Sequence, residues 1–213
     1  MALDLKRTLV SVVRRQLARV ALKQPAPPPG RRMHAMTQGT RADWAGIRRG
    51  DAAFARDFAD RLLGQLRLLR DVRHGFAVDR LEHCLQTASR AHRAGNDEEY
   101  VVCALFHDVG ASLAPADHAT FAALALKPYV SERNLWLLQQ HDIFQGYYYL
   151  HFLGHDRHAR DRFRGHPAFE YTAEFCEKFD QAAFDPTYES MPLEAFVPMV
   201  RRVINPGRRS GRK

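Results

Sequence analysis

Residues 79–110, DRLEHCLQTASRAHRAGNDEEYVVCALFHDVG, constrain this chain more than any other stretch. Their pattern predicts two helices joined by a tight turn, each bringing metal-binding side chains to one place. In the first helix His83, Gln86 and Thr87 stand at i, i+3 and i+4 and share one face. Gly95 ends that helix. Asn96 or Asp97 caps the next, and Glu98 and Glu99 sit in its first turn, beside the positive end of the helix dipole. The second helix is apolar through Val101, Val102, Ala104 and Leu105 and closes on the adjacent pair His107-Asp108, just before Gly110. Packing alone has no use for a histidine and an aspartate at the end of an apolar helix. Both side chains are ligands for Zn, Fe, Mn or Mg. A carboxylate beside an imidazole can hold one ion and bridge to a second through its other oxygen.

The remaining chain supplies further helices. Phe54, Phe58, Leu62, Leu66 and Leu69 recur at three and four residues and predict a helix over residues 51–71. Pro115 and Asp117 open another, with His118 in its first turn, and Ser131 caps the next, which brings up His141 and is interrupted at Gly146. A helix over residues 169–184 carries Asp180 among Phe175, Phe179 and Phe184. No segment alternates convincingly enough to be a strand.

His83, the pair His107-Asp108 and the string HDVG resemble the HD superfamily of metal-dependent phosphohydrolases. The longer string LEHCLQTA is similar to a narrower branch, which includes the di-iron oxygenases that cleave phosphonates, with myo-inositol oxygenase more distant. The resemblance covers roughly residues 78–203. It implies an all-α fold: a single-domain HD-type helical bundle around a dinuclear metal site. It also implies a ligand set. His83, His107, Asp108 and a late aspartate would form the four-ligand core that holds one ion. Asp180 is the expected closing aspartate and Asp185 its rival. His118 and His141 would add two imidazoles and a second ion bridged by Asp108.

Composition bears on partners. The net charge of +8 over 213 residues invites a nucleic-acid reading, but the charge sits at the ends. Residues 1–32 carry +7 and residues 201–213 carry +6, leaving −5 for residues 33–200. A specific nucleic-acid surface on the body is therefore not expected. Leu5, Leu9, Val12, Val13, Leu17 and Val20 predict a basic amphipathic helix over residues 3–23, either a weak membrane-surface contact or a plain extension. Arginines interrupt every apolar run there, so neither a signal peptide nor a membrane span is expected. A Pro-rich linker follows, giving an extension over 1–32, a catalytic domain over 33–203 and a basic disordered tail over 204–213. Cys84, Cys103 and Cys176 lack metal-type spacing and read as reduced core residues of a cytoplasmic protein.

The ligand set serves more than one chemistry. The resemblance implies first a phosphohydrolase acting on a small phosphate ester. The alternative is an O2-dependent mixed-valent di-iron oxygenase for a phosphonate or polyol-like substrate, and a third reading is a binding module without catalysis. Two divalent ions are expected, iron first, with Mn, Mg and Zn as the others. Arg73 and Phe76 stand approximately where the phosphonate oxygenases carry a Tyr and a Glu over the open iron position. Gln145-Gly146 stands where they carry a Lys-Arg element that grips phosphonate. Asp108, Gln86 and Lys178 are the expected catalytic residues. Arg157, Arg160, Arg162 and Arg164 are expected to bind a small anionic substrate, because the guanidinium fork matches phosphate oxygens.

Overall fold

The computed structural model describes residues 33–73 and 75–205; the extension and linker, His74 and the end of the basic tail lie outside them. Every regular element among the described residues is helical, as an all-α fold requires. The chain divides into two compact units between Gly64 and Gln65.

The first unit contains helix α1 (Arg41–Arg56) and the start of α2 (Phe58–Arg67). α1 opens on a reciprocal cap: Asp43 N–H donates to Thr40 Oγ1 at 3.3 Å, and Thr40 N–H donates to the Asp43 carboxylate at 2.9 Å. The helix expected over residues 51–71 is two helices. Asp57 breaks it, with φ −89° and ψ 11°, and aspartate is a poor helix-interior residue because it competes for backbone hydrogen bonds. The apolar period continues across the break, which is why periodicity alone misses it. The Arg61 guanidinium lies 3.6 Å from the centre of the Phe54 ring, a cation–π contact between the two helices.

The second unit holds α3 (Arg80–Arg93), α4 (Glu98–Phe106), α5 (His118–Leu126), α6 (Glu132–Tyr149), α7 (Phe169–Phe175) and α8 (Leu193–Val203). Asp79 caps α3 by accepting from Glu82 N–H at 2.8 Å, and its other oxygen accepts from Asp71 N–H. Gly95 turns the chain with φ +83°, and Asp97 caps α4. α4 is buried on every side from Tyr100 to Phe106, as an all-apolar helix must be. It packs against α3, α6 and α8, while α6 also packs on α5 and α7. The carboxyl end of α4, with His107 and Asp108, therefore lies in the interior of this unit.

Three local features set the register around that point. Asn134, buried in α6, donates to Glu99 of α4 at 2.9 Å and accepts from the Tyr171 hydroxyl of α7 at 2.8 Å. Two turns further on, α6 delivers His141. Gly146 does not interrupt α6; the helix runs through it, and a Cβ there would lie 2.6 Å from Leu150 Cδ1. Finally, α7 widens into a π turn over Cys176–Asp180, closed by a Gln181 N–H to Cys176 carbonyl bond of 3.0 Å. No helix among the described residues is long and apolar enough to cross a membrane.

Candidate metal centre

His83 comes from the first turn of α3, and His107 and Asp108 from the end of α4. His118 comes from the first turn of α5, His141 from α6 and Asp180 from the π turn. All six side chains meet. His83, His107, Asp108, His141 and Asp180 are each at most 2% exposed, and His118 is partly covered.

The tautomers of three rings follow from their outer partners. His83 Nδ1 faces the Ala183 carbonyl at 3.1 Å, His107 Nδ1 the Ala104 carbonyl at 2.8 Å, and His141 Nδ1 the Leu138 carbonyl at 2.9 Å. A carbonyl only accepts, so each Nδ1 carries a hydrogen and each Nε2 turns inward. His83 Nε2 and His107 Nε2 then stand 3.0 Å apart. Two lone pairs at that distance repel unless a cation lies between them. One shared proton could serve that pair, yet buried His141 Nε2 and Asp180 Oδ2 still find no hydrogen-bond partner among the described residues. Leaving such atoms uncompensated costs about 1–3 kcal/mol each. Backbone-oriented imidazoles are also the usual support of metal-ligating histidines.

The spacings fit a metal ion. His83 Nε2 and His107 Nε2 lie 3.2 and 3.5 Å from Asp180 Oδ1, and each lies 3.6 Å from Asp108 Oδ2. Donors about 2.1 Å from a common ion, at angles between octahedral and tetrahedral, are about 2.9–3.5 Å apart. The groups His83–His107–Asp180 and His107–Asp108–His141 could each hold an ion. The second oxygen of Asp108 faces the other way: Oδ1 is 3.1 Å from His118 Nε2 and 3.6 Å from His141 Nε2.

Gly110 explains how His118 gets so close. A Cβ at Gly110 would lie 2.7 Å from both the His118 carbonyl oxygen and Phe121 Cβ. Only glycine lets the turn after Asp108 press against the first turn of α5.

Both aspartates are anionic despite their burial. Burial would raise the Asp108 carboxyl, but His107, His118, His141 and Arg80 outweigh it and hold it well below the usual carboxylate range. Burial likewise opposes, and His107 and His83 overcome, the ionisation of Asp180. By contrast, burial pushes the Cys84 and Cys176 thiols up, so neither offers a thiolate to the cluster.

Other residues expected at the site stand elsewhere. Asp185 is exposed and caps its own turn, accepting from Thr187 N–H and Oγ1 at 2.8 and 2.7 Å, so of the two aspartates only Asp180 stands among the histidines. Gln86, expected in catalysis, gives its amide to the Asp185 backbone, donating at 2.7 Å and accepting at 3.2 Å. Lys178 points outward and pairs with Glu174 at 2.6 Å. Arg157 and Arg160 stack on the Tyr147 ring at 4.1 and 3.9 Å. Arg164 pairs with Asp161 at 3.2 Å, and exposed Arg162 lies over Phe163. Arg73 donates to the Ala77 carbonyl at 3.2 Å. Phe76 stacks on Phe184, which in turn covers the face of the His83 ring.

Two residues at the cluster carry no motif. Arg80 places its guanidinium directly against Asp108 Oδ2, and Gln145 donates from Nε2 to Asp180 Oδ1 at 2.8 Å. Arg80 is three residues before His83 and Gln145 four after His141, so helical spacing places each beside a ligand.

Compared with known proteins, the chain matches no protein-family model and no curated sequence.

Proposed function

We propose that the cluster is a dinuclear metal centre of the HD type and that the protein is a metal-dependent phosphohydrolase for a small phosphate ester. The observation that carries this reading is the division of Asp108. One oxygen faces His83 and His107, with Asp180 completing that side, and the other faces His118 and His141. A buried carboxylate between two imidazole pairs suits two cations better than one.

Bound there, two divalent ions would supply an acidified water for attack at phosphorus and offset the charge developing on the phosphoryl oxygens. The chain's own residues do the rest. The Nδ1–carbonyl bonds of His83, His107 and His141 hold the rings in one tautomer and one orientation. Arg80, whose side chain is 22% exposed, sets a fixed positive charge beside the centre. Its planar fork suits the oxygens of a phosphate. Phe184 and Phe76 screen the outer face of His83 from water.

The four imidazoles support a second reading. A nitrogen-rich set suits iron as well as zinc or manganese, so O2 chemistry at a di-iron pair is the alternative. One measurement separates the two. The protein purified in air is analysed for metals, examined by electron paramagnetic resonance, and assayed on simple phosphate monoesters. Mn, Mg or Zn with phosphatase turnover supports the hydrolase. Two irons with a mixed-valent signal and no phosphatase turnover would overturn it in favour of the oxygenase.

A further inference from the structure

We infer that Gln145 is a positioning residue that fixes the orientation of the Asp180 carboxylate toward the metal centre. The inference rests on reading the cluster as a metal centre, and its subject is a side chain that no ligand motif contains. Asp180 is fully buried, and its two oxygens are unequal. Oδ1 receives the Gln145 amide at 2.8 Å and is the oxygen nearest His83 Nε2 and His107 Nε2. Oδ2 has no donor among the described residues.

A carboxylate only accepts, so the amide nitrogen of Gln145 faces it and the amide oxygen points away. The bond occupies one lone pair of Oδ1 and aims the other at the two imidazoles. Among the described residues Oδ2 has no donor, so the carboxylate plane is oriented through Oδ1 alone, by the Gln145 amide on one side and the two imidazoles on the other. The donor comes from α6, one turn after His141, so the helix that carries one ligand also fixes another that the π turn carries. A neutral amide does this without adding charge. It leaves the Arg80 guanidinium, paired with Asp108, as a cation at the cluster.

The test compares full-length wild type with Gln145→Met, which keeps the length and loses the donor, and Gln145→Lys, which restores a donor of similar reach. Metal content is measured by mass spectrometry, together with the rate at which a chelator strips each ion. The expected result is that Gln145→Met loses one ion about tenfold faster or more, the usual scale for an outer hydrogen bond to a ligand. Gln145→Lys returns to within about threefold of wild type on the same scale. The chelator-treated Gln145→Met should melt only slightly below chelator-treated wild type, by no more than the loss of one buried hydrogen bond requires. Wild-type retention and stripping rates in Gln145→Met would overturn the inference, as would a loss that Gln145→Lys fails to restore. So would a metal loss accompanied by a larger fall than that in the melting temperature of the stripped protein. A wild type that carries no metal would overturn the metal centre itself, and this inference with it.

Discussion

Alanine at Asp108 and alanine at His118 should have unequal effects, because the two side chains face the centre differently. Asp108 touches both imidazole pairs and is buried, whereas His118 reaches only Oδ1 from a partly exposed position. Asp108→Ala should abolish binding of both ions and leave four imidazoles and Arg80 without their shared anion. His118→Ala should retain about one ion per chain, in the side built from His83, His107, Asp108 and Asp180, and leave folding stability within about 1 kcal/mol, since His118 is partly exposed. Metal analysis of the two purified variants checks the first point, and denaturant titration of the second variant checks the other. Equal metal loss in both would mean that the two sides do not fill independently. At this scale the sequence was legible where the resemblance named His83, His107, Asp108, His118, His141 and Asp180: their side chains converge. It was less legible one step outward. Gln86 and Arg80 both lie within one turn of His83, yet only packing decides that the first meets the Asp185 backbone and the second meets Asp108.

Among the helices, the close approach of the turn after Asp108 to the first turn of α5 invites a direct test. Gly110→Ala would put its Cβ against backbone atoms of His118, which cannot rotate away as a side chain can. The expected cost is about 1–3 kcal/mol, the range for overpacking a tight contact. Because α5 must shift to relieve it, the ion on the His118 side should be lost before the other. Denaturant titration and metal content measured on one preparation check both parts. Several elements could be read directly from the residues: the helix pair around Gly95, the caps at Asp97 and Ser131, and the entry to α5 at Asp117. Three features could not. The break at Asp57 preserves the apolar period, and Gly146 is carried by a helix anchored elsewhere through Asn134. The π turn depends on where Asp180 must point, which is a tertiary demand.

For the whole molecule, all six converging side chains lie in the unit that begins at Gln65, and the basic charge lies at the chain ends. Removing residues 1–32 should therefore leave metal content and turnover unchanged while weakening adhesion to anionic vesicles, with the steep salt dependence of exposed Arg and Lys. Vesicle co-sedimentation at several salt concentrations and a thermal melt of the shortened protein test this. A midpoint lower by many degrees would mean that Leu5, Leu9, Val13, Leu17 and Val20 are buried against folded parts of the chain, at ~1.5–3 kcal/mol for each such side chain.

The π turn makes the spacing of this chain unforgiving in a particular way. Each residue of an α-helix advances the side chains by about 100°, and the i to i+5 bond from Gln181 to Cys176 accommodates one residue more than an α turn would. Deleting Glu177 or Lys178, both exposed, removes no ligand and no core side chain. It would let the turn close to ordinary α geometry with Asp180 still in phase, whereas one inserted residue would exceed what the turn absorbs and swing the Asp180 carboxylate about a quarter of the way round the helix axis. Replacing Glu177 or Lys178 with alanine should be silent. An insertion and a substitution at one exposed position would then have opposite outcomes for metal content, making the number of residues, and not their identity, the inherited constraint on this segment.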